Sequence, residues 1–341
     1  MDLKRNNSNK IVTASSDNSV CLWNLNTGKS VYFAGHTNDV LHIIDLKHYN
    51  ENYIATCSGD NNIKIWNLIN GNSVNKLSGH TNSVNMILHL DKLNINLLLS
   101  CSIDCTVRLW NINTGKEELC FKGHTDSVSK IIHPFEYHKN MFISASLDMK
   151  IKLWEIQSIK LDNKLIYRGA LLREFVGHYE GINDLLYLKG YSNKEMFLSA
   201  GQDKHIRLWS LVSNSSIKKF TTKGNVVTLK HLKRYNTNFF ASGGIDNFVY
   251  IWNISSGEKI QILQGVINPI NIVYPKEIDD ETIIVSDNKD LKVFNFVKGN
   301  LLKTIKNAHE EGILYLMYSS CKEILVSGCI DASVKIWKLN R

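Results

Sequence analysis

Three prolines, no Cys-x-x-Cys and no apolar stretch of bilayer-spanning length set the first limits on this chain of 341 residues. A spanning helix needs about 20 consecutive apolar residues, so no membrane partner is expected. The start, Met1-Asp2-Leu3-Lys4-Arg5-Asn6-Asn7, lacks the apolar core of a secretory signal. Seven cysteines, an odd number, stand scattered at positions 21, 57, 101, 105, 120, 321 and 329. They read as reduced structural thiols, which places the chain in a reducing compartment, cytosol or nucleus. No His-x-x-x-His, Gly-x-Ser-x-Gly or phosphate-cradling glycine loop occurs, so no cofactor, metal or small-molecule substrate is expected. The shortage of proline beside abundant Asn, Lys and Ile reads as the bias of an AT-rich coding sequence. Disorder is not implied, because the Asn-rich stretches are bounded by strand patterns.

What is present is ordinary in bulk and unusual in arrangement. Hydrophobic residues make up 43% and charged residues 21%, as in a soluble globular chain. The net charge of +8 joins 40 Lys and Arg to 32 acids, a weak argument for an anionic partner. One phrase then returns through the whole length. Thr13-x3-Asp17-x5-Trp23 is followed by Thr56, Asp60, Trp66; Ser100, Asp104, Trp110; and Ser144, Asp148, Trp154. Ser199, Asp203, Trp209; Ser242, Asp246, Trp252; and Ser327, Asp331, Trp337 continue it. A degenerate copy, Ser286-x3-Asp290 running into Phe294, fills the remaining gap. The aromatic-to-aromatic steps are 43, 44, 44, 55, 43, 42 and 43 residues. A period of about 40–45 residues marked by Trp is the sequence signature of a β-propeller array.

Residues 79–121 give the physical content of one unit. Ser83–Leu88 reads as an inner strand, and the apolar run Leu97–Cys101 as a second strand buried on both faces. Asp104-Cys105 form a tight turn, Val107–Trp110 a third strand, and Glu118–Phe121 a fourth after the turn Asn113-Thr114-Gly115. Four short antiparallel strands and a return to Gly123-His124 make one blade.

With these motifs in register, the sequence resembles the WD-repeat β-propeller family over essentially its whole length. Gly35-His36, Gly79-His80, Gly123-His124, Gly177-His178 and the variant Ala308-His309 match the family's Gly-His opener. The resemblance implies buried hydrogen-bonded tetrads: His36, Thr56, Asp60, Trp66; His80, Ser100, Asp104, Trp110; His124, Ser144, Asp148, Trp154; His178, Ser199, Asp203, Trp209; and His309, Ser327, Asp331, Trp337. The Asp of the family's Trp-Asp dipeptide is replaced throughout, by Asn24, Asn67, Asn111, Asn253, Asn295, Glu155, Ser210 and Lys338. Gly-His is missing ahead of the sixth and seventh units, which are expected to be the softest. The fold expected is all-β, a propeller of eight repeat units, with a seven-bladed ring as the alternative in which Val31-Tyr32-Phe33 completes the last blade. Residues 1–341 are read as a single domain. Its opening residues look like the end of an inner strand, as though the chain were truncated within its first blade.

Function in such an array belongs to its surfaces. The Asp–His pairs imitate catalytic dyads but recur with the repeat and lack a nucleophile, so no enzyme is expected. On the top rim, Ile103, Leu147, Ile245 and Ile330 precede the turn Asp, and Asp39, Ser83, Asp126 and Glu180 stand near the starts of the inner strands. Exposed apolar groups there suit a docking peptide or domain, unless they fold back on neighbouring loops. A phosphopeptide reader among ubiquitin-ligase substrate receptors would need clustered Arg. Those places hold Asn18, Asn61, Cys105, Met149, Asn247 and the lone cation Lys204. The bottom loops interleave cations with aromatics: Lys47-His48-Tyr49, Lys139, Lys189-Tyr191-Lys194 and Lys230-His231-Lys233-Arg234-Tyr235. The long fourth-to-fifth step adds Lys160, Lys164 and Arg168 on the same side. Such a surface could hold RNA or an acidic partner, or be ordinary solvated loops. A protein-binding scaffold or adaptor is the leading expectation, with an RNA-associated propeller second and a ubiquitin-ligase substrate receptor third.

Overall fold

The structure, a computed structural model, describes residues 1, 3, 9–133, 138–162, 164–192, 195–275, 280–319 and 323–338. Eight antiparallel sheets follow one another along the chain, and no helix occurs among the described residues. They fall into two compact units of four sheets each, Met1–Val176 and Gly177–Arg341. Each sheet is a meander with strands termed a to d in chain order; among the described residues the first sheet has only b to d (Lys10–Ala14, Val20–Asn24, Ser30–Phe33) and the eighth only a to c (Ile313–Ser319, Ile324–Cys329, Val334–Lys338). The eight repeat units read in the sequence are these eight sheets. The seven-bladed alternative is corrected: Ser30–Phe33 pairs with Val20–Asn24 as strand d of the first sheet.

The third sheet shows how closely local pattern dictates structure. Its strands are Val84–His89, Leu97–Ser102, Val107–Asn111 and Glu117–Phe121. Strand b is buried at all positions, as a continuous apolar run between two paired neighbours requires. In the first sheet Met1 lies beside strand b, where its amine donates to the Val12 carbonyl and its carbonyl accepts from the Val12 amide. Leu3 is sealed into the same core as Val12, Val20 and Leu22.

Two irregularities recur at fixed places. Strand a carries a β-bulge near its start, at Val40/His42, Val84/Met86, Val128/Lys130, Ile182/Asp184, Val226/Thr228 and Ile313/Tyr315. A second bulge falls between strands c and d at Trp66, Trp110, Trp154, Trp252 and Phe294. Bulges bend and twist a strand locally. Within each unit the strand-c aromatic is packed against the preceding sheet: Trp66 stacks on Phe33 at 5.9 Å, and Trp154 and Trp252 meet Phe121 and Phe220 edge-on at 5.5 Å. The cores therefore lie between sheets, and removing one such aromatic costs roughly 3–5 kcal/mol.

A side-chain latch, absent from the sequence reading, adds to this packing. Asn85 donates from Nδ2 to the Val128 carbonyl at 2.9 Å, Asn183 to Val226 at 2.8 Å and Asn271 to Leu314 at 2.6 Å. Asn85 and Asn183 stand second in strand a and Asn271 directly before it, and each reaches the strand a of the next sheet. The signal in the sequence was the recurring Val-Asn or Ile-Asn.

Candidate functional site

Four tetrads share one geometry. His36, His80, His124 and His178 meet Asp60, Asp104, Asp148 and Asp203 through Nδ1 at 2.7–2.9 Å. Their Nε2 atoms lie 2.6–2.8 Å from the hydroxyls of Thr56, Ser100, Ser144 and Ser199. Trp66, Trp110, Trp154 and Trp209 donate to those same hydroxyl oxygens at 2.7–2.8 Å. A carboxylate only accepts, so it takes the Nδ1 proton; Nε2 then accepts the hydroxyl proton, and the hydroxyl oxygen accepts from the indole. Burial acts to raise the Asp60 carboxyl, but the His36 hydrogen bond and charge and the Thr37 and Asn62 amides outweigh it. The result lies below the usual carboxylate range, as it does for Asp104, Asp148 and Asp203.

Four sheets depart from this pattern. In the first, Trp23 donates to Thr13 at 2.8 Å with no histidine beside the pair among the described residues. In the sixth no histidine stands at the tetrad position, and the Tyr250 hydroxyl donates to Asp246 at 2.8 Å beside the Lys223 and Gly224 amides. In the seventh the motif read as Ser286 and Asp290 is corrected by the register. Phe294 pairs with Ile283, which puts Val285 where the tetrad hydroxyl would stand, and the turn shrinks to Asn288-Lys289. Ser286 instead receives the Asn271 amide, and Asp287 pairs with Lys292. In the eighth, His309 keeps Ser327 at 2.7 Å and Trp337 keeps the same hydroxyl, but His309 and Asp331 stand 4.0 Å apart.

The turns between strands b and c explain the asparagines at the phosphoreader positions. Asn18, Asn61, Cys105, Met149, Lys204 and Asn247 all have φ between 65° and 70°. That left-handed conformation favours Asn among non-glycine residues, so Asn18, Asn61 and Asn247 follow the backbone, whereas nothing in the structure explains Cys105, Met149 and Lys204 there. The Asn residues replacing the family's Trp-Asp aspartate cap the next turn. Asn111 Oδ1 accepts from the Asn113 amide and Asn295 Oδ1 from the Val297 and Lys298 amides.

On the top rim, each residue before the turn Asp donates its amide to the start of strand a in its own sheet. In the first unit Ile103 bonds to Ser83 and Leu147 to Ser127; in the second, Ile245 bonds to Asn225 and Ile330 to Gly312. The equivalents of Asp39 and Ser83 are thus Ser127 and Gly181, whereas Asp126 and Glu180 stand one residue earlier and are exposed. Ile103, Ile245 and Ile330 are 41%, 54% and 55% exposed, while Leu147 is half-buried. Asp39 and Ser83 are half-buried as well.

The lower loops are less available than their composition suggested. Tyr49 donates to Asn113, Tyr191 shares a hydrogen bond with Ser255, and Tyr235 stacks on Phe239 and meets Phe296 edge-on. The Tyr49 and Tyr191 hydroxyls and the Tyr235 ring are thus engaged by neighbouring residues. His89, His133 and His231 do recur: each ends or follows strand a and bonds through Nε2 across the loop to a backbone carbonyl at 2.7–2.8 Å. Lys230 belongs to strand a of the sixth sheet, not to a loop; burial lowers its pKa, opposed by the Asp184 carboxylate. Lys139 and Lys189, and the pair Lys233 and Arg234, are exposed. Lys194 lies outside the described residues, as does the side chain of Lys164.

The long fourth step is an extended hairpin, Ile151–Leu161 with Lys164–Phe175. Tyr167 is buried against the third sheet, where Asn94 donates to its hydroxyl at 3.2 Å. Ile159 and Ile166 pair directly on the other face and are 40% and 43% exposed. The register separates the expected cations: Lys160 shares the Tyr167 face, whereas Arg168 and the backbone position of Lys164 belong to the opposite one. The exposed Ile pair escaped sequence reading, although its alternation was visible there.

Comparison with known proteins places these features among related chains. The family described as "WD domain, G-beta repeat" matches residues 28–67, 71–111, 115–155, 169–210 and 299–338, more than half of the chain. Pre-mRNA-processing factor 17 of Homo sapiens is 28% identical over 126 residues, 37% of this chain and 21% of that protein. U3 small nucleolar RNA-associated protein 15 homolog of Xenopus laevis is 21% identical over 49% of this chain and 32% of that protein. Periodic tryptophan protein 2 homolog of Dictyostelium discoideum is 24% identical over 43% of this chain and 16% of its own length. Each match thus spans a third or less of the relative. Among solved structures, the crystal structure of the computationally designed Ika8 protein matches with a TM-score of 0.78, 21% identity and coverage of 97% and 93% of the two chains. That likeness concerns the fold alone.

Proposed function

The chain belongs to the WD-repeat family of β-propellers, and from that premise we propose that it is a non-catalytic scaffold or adaptor. Its rigid sheets display rim residues for docking proteins. The observation that carries this reading is the exposure of Ile103, Ile245 and Ile330 at backbone positions fixed by hydrogen bonds. Apolar side chains held in water contribute most when a partner covers them. The Asp–His pairs support a structural role, since both nitrogens of His36, His80, His124 and His178 are hydrogen-bonded within their tetrads.

A second reading places the chain in an RNA-containing assembly. It is supported by the printed names of the relatives, which speak of pre-mRNA processing and small nucleolar RNA, and by the exposed pair Lys233 and Arg234. The engaged tyrosines favour contact through phosphates over base stacking.

Affinity purification from the native source, with and without nuclease, tests both readings. The chain is compared with a rim variant (Ile103→Asp, Ile245→Asp, Ile330→Asp) and a charge variant (Lys233→Glu, Arg234→Glu). Near-stoichiometric partners that survive nuclease and are lost only from the rim variant support the scaffold. A rim variant that retains every partner overturns it. Loss on nuclease treatment and in the charge variant shifts the assignment to the RNA-containing assembly.

A further inference from the structure

The geometry points to a metal site in the eighth sheet, where His309, Cys329 and Asp331 form a tridentate set for a thiophilic divalent cation such as Zn²⁺. The candidate ligand atoms, one from each residue, all lie within 4.8 Å of one another. Two independent departures from the other sheets produce this set. Cys329 replaces the serine of equivalent position in the second, third and fourth sheets, Ser58, Ser102 and Ser146. Those hydroxyls accept the turn-Asp amide and donate to a carbonyl at the start of strand a. In the same sheet the His–Asp contact has opened to 4.0 Å.

The histidine chemistry follows from that opening. In the intact tetrads a carboxylate faces Nδ1 and keeps a proton on it. Here Nδ1 lies 2.7 Å from the Ser333 hydroxyl, which in turn donates to the Asp331 carboxylate, so the serine bridges the opened pair, while Nε2 lies 2.7 Å from Ser327. On metal binding the ring proton moves to Nε2 and is donated to Ser327, which frees the Nδ1 lone pair for the metal and orients the ring, the usual arrangement behind a histidine ligand. Zinc bonds of about 2.0–2.3 Å set ligand atoms roughly 3.5 Å apart. The cluster therefore closes by about an ångström of side-chain adjustment, with Nδ1 leaving Ser333. Loss of the Cys329 thiol proton to solvent on binding leaves a thiolate and a carboxylate, which together balance the dication. Asp331 is partly exposed, so the fourth position faces solvent.

The test is titration of the chelator-treated full chain with Co²⁺, followed by Zn²⁺ competition. Expected are an intense near-ultraviolet thiolate-to-cobalt band, its displacement by Zn²⁺, and a rise in melting temperature with either metal. Cys329→Ser should abolish the band and weaken binding at least tenfold. It should still fold, because serine is the native residue at the three sister positions. Asp331→Asn should weaken binding, and Cys105→Ser should leave it unchanged. The assignment is overturned if the parent chain develops no thiolate band, or if the band and melting shift persist in Cys329→Ser.

Discussion

The Tyr250 hydroxyl donates to the Asp246 carboxylate at 2.8 Å, in a sheet that has no tetrad histidine. A residue four positions along the chain thus fills a place that elsewhere belongs to a histidine more than twenty residues upstream. The sixth sheet, expected to be soft, keeps a partner for its turn carboxylate. Tyr250→Phe removes that partner with almost no change in volume. The expected cost is about 1.5–3 kcal/mol, the usual range for a hydrogen bond to a charged group. Urea unfolding of the two chains measures it, and equal midpoints would deny Tyr250 this role.

Ser100→Ala should destabilise considerably more than Ser286→Ala. The first substitution strands the Trp110 indole N–H and the His80 ring in a fully buried network, a loss of about 2–4 kcal/mol. The second removes one acceptor from the Asn271 amide, about 1 kcal/mol. Equal losses in chemical denaturation would contradict the assignment of Val285, not Ser286, to the tetrad position.

Stability should fall on acidification in two stages. Burial, reinforced by Lys130, pushes the His42 pKa down to about 4. Its Nδ1 is sealed from solvent with no hydrogen-bond partner among the described residues. The unfolded chain takes up this proton near pH 6.5 and the folded one does not, so stability present above that pH is lost as it falls toward 4. Asp60, Asp104, Asp148 and Asp203 are held below the carboxylate range, so their stabilisation is complete above about pH 5 and is lost progressively as the pH falls from about 4 through their lower folded-state values. His42→Leu should remove on the order of 2 kcal/mol of the loss between pH 6.5 and 4 and leave the steeper stage below it. Burial also lowers the pKa of His36, His89, His133 and His231, so an unaltered pH profile for this variant would assign the first stage to those histidines and deny His42 a part in it.

Gly169→Ala should disturb the extended hairpin. A Cβ at Gly169 would stand 2.4 Å from Cε1 of Phe121, itself packed between Phe142 and Trp154. Overpacking of this kind costs about 1–3 kcal/mol. The hairpin should also show faster amide exchange around Tyr167. Unchanged melting and exchange would mean that Phe121 moves aside freely.

How far the chain could be read depended on how local each feature is. The ten-residue spacing from Ser100 to Trp110 is fixed by one hairpin register, so the pair was legible from spacing alone, and the strands of the third sheet followed from alternation. The seventh unit resisted because a turn one residue shorter shifts Ser286 past the tetrad position while leaving the spacing to Asp290 intact. Only the ladder that pairs Ile283 with Phe294 reveals it. Tyr49, Tyr191 and Tyr235 looked like free stacking groups because their partners, Asn113, Ser255 and Phe296, lie on neighbouring sheets far along the chain. The sequence by itself determined the repeat, the strands and the hydrogen-bonded motifs, because backbone register and side-chain alternation are set within a few residues. Tertiary structure decided which rim side chains stay exposed, which loop residues are already engaged and where a thiol meets an opened His–Asp pair, because burial and close approach depend on what adjacent sheets bring together.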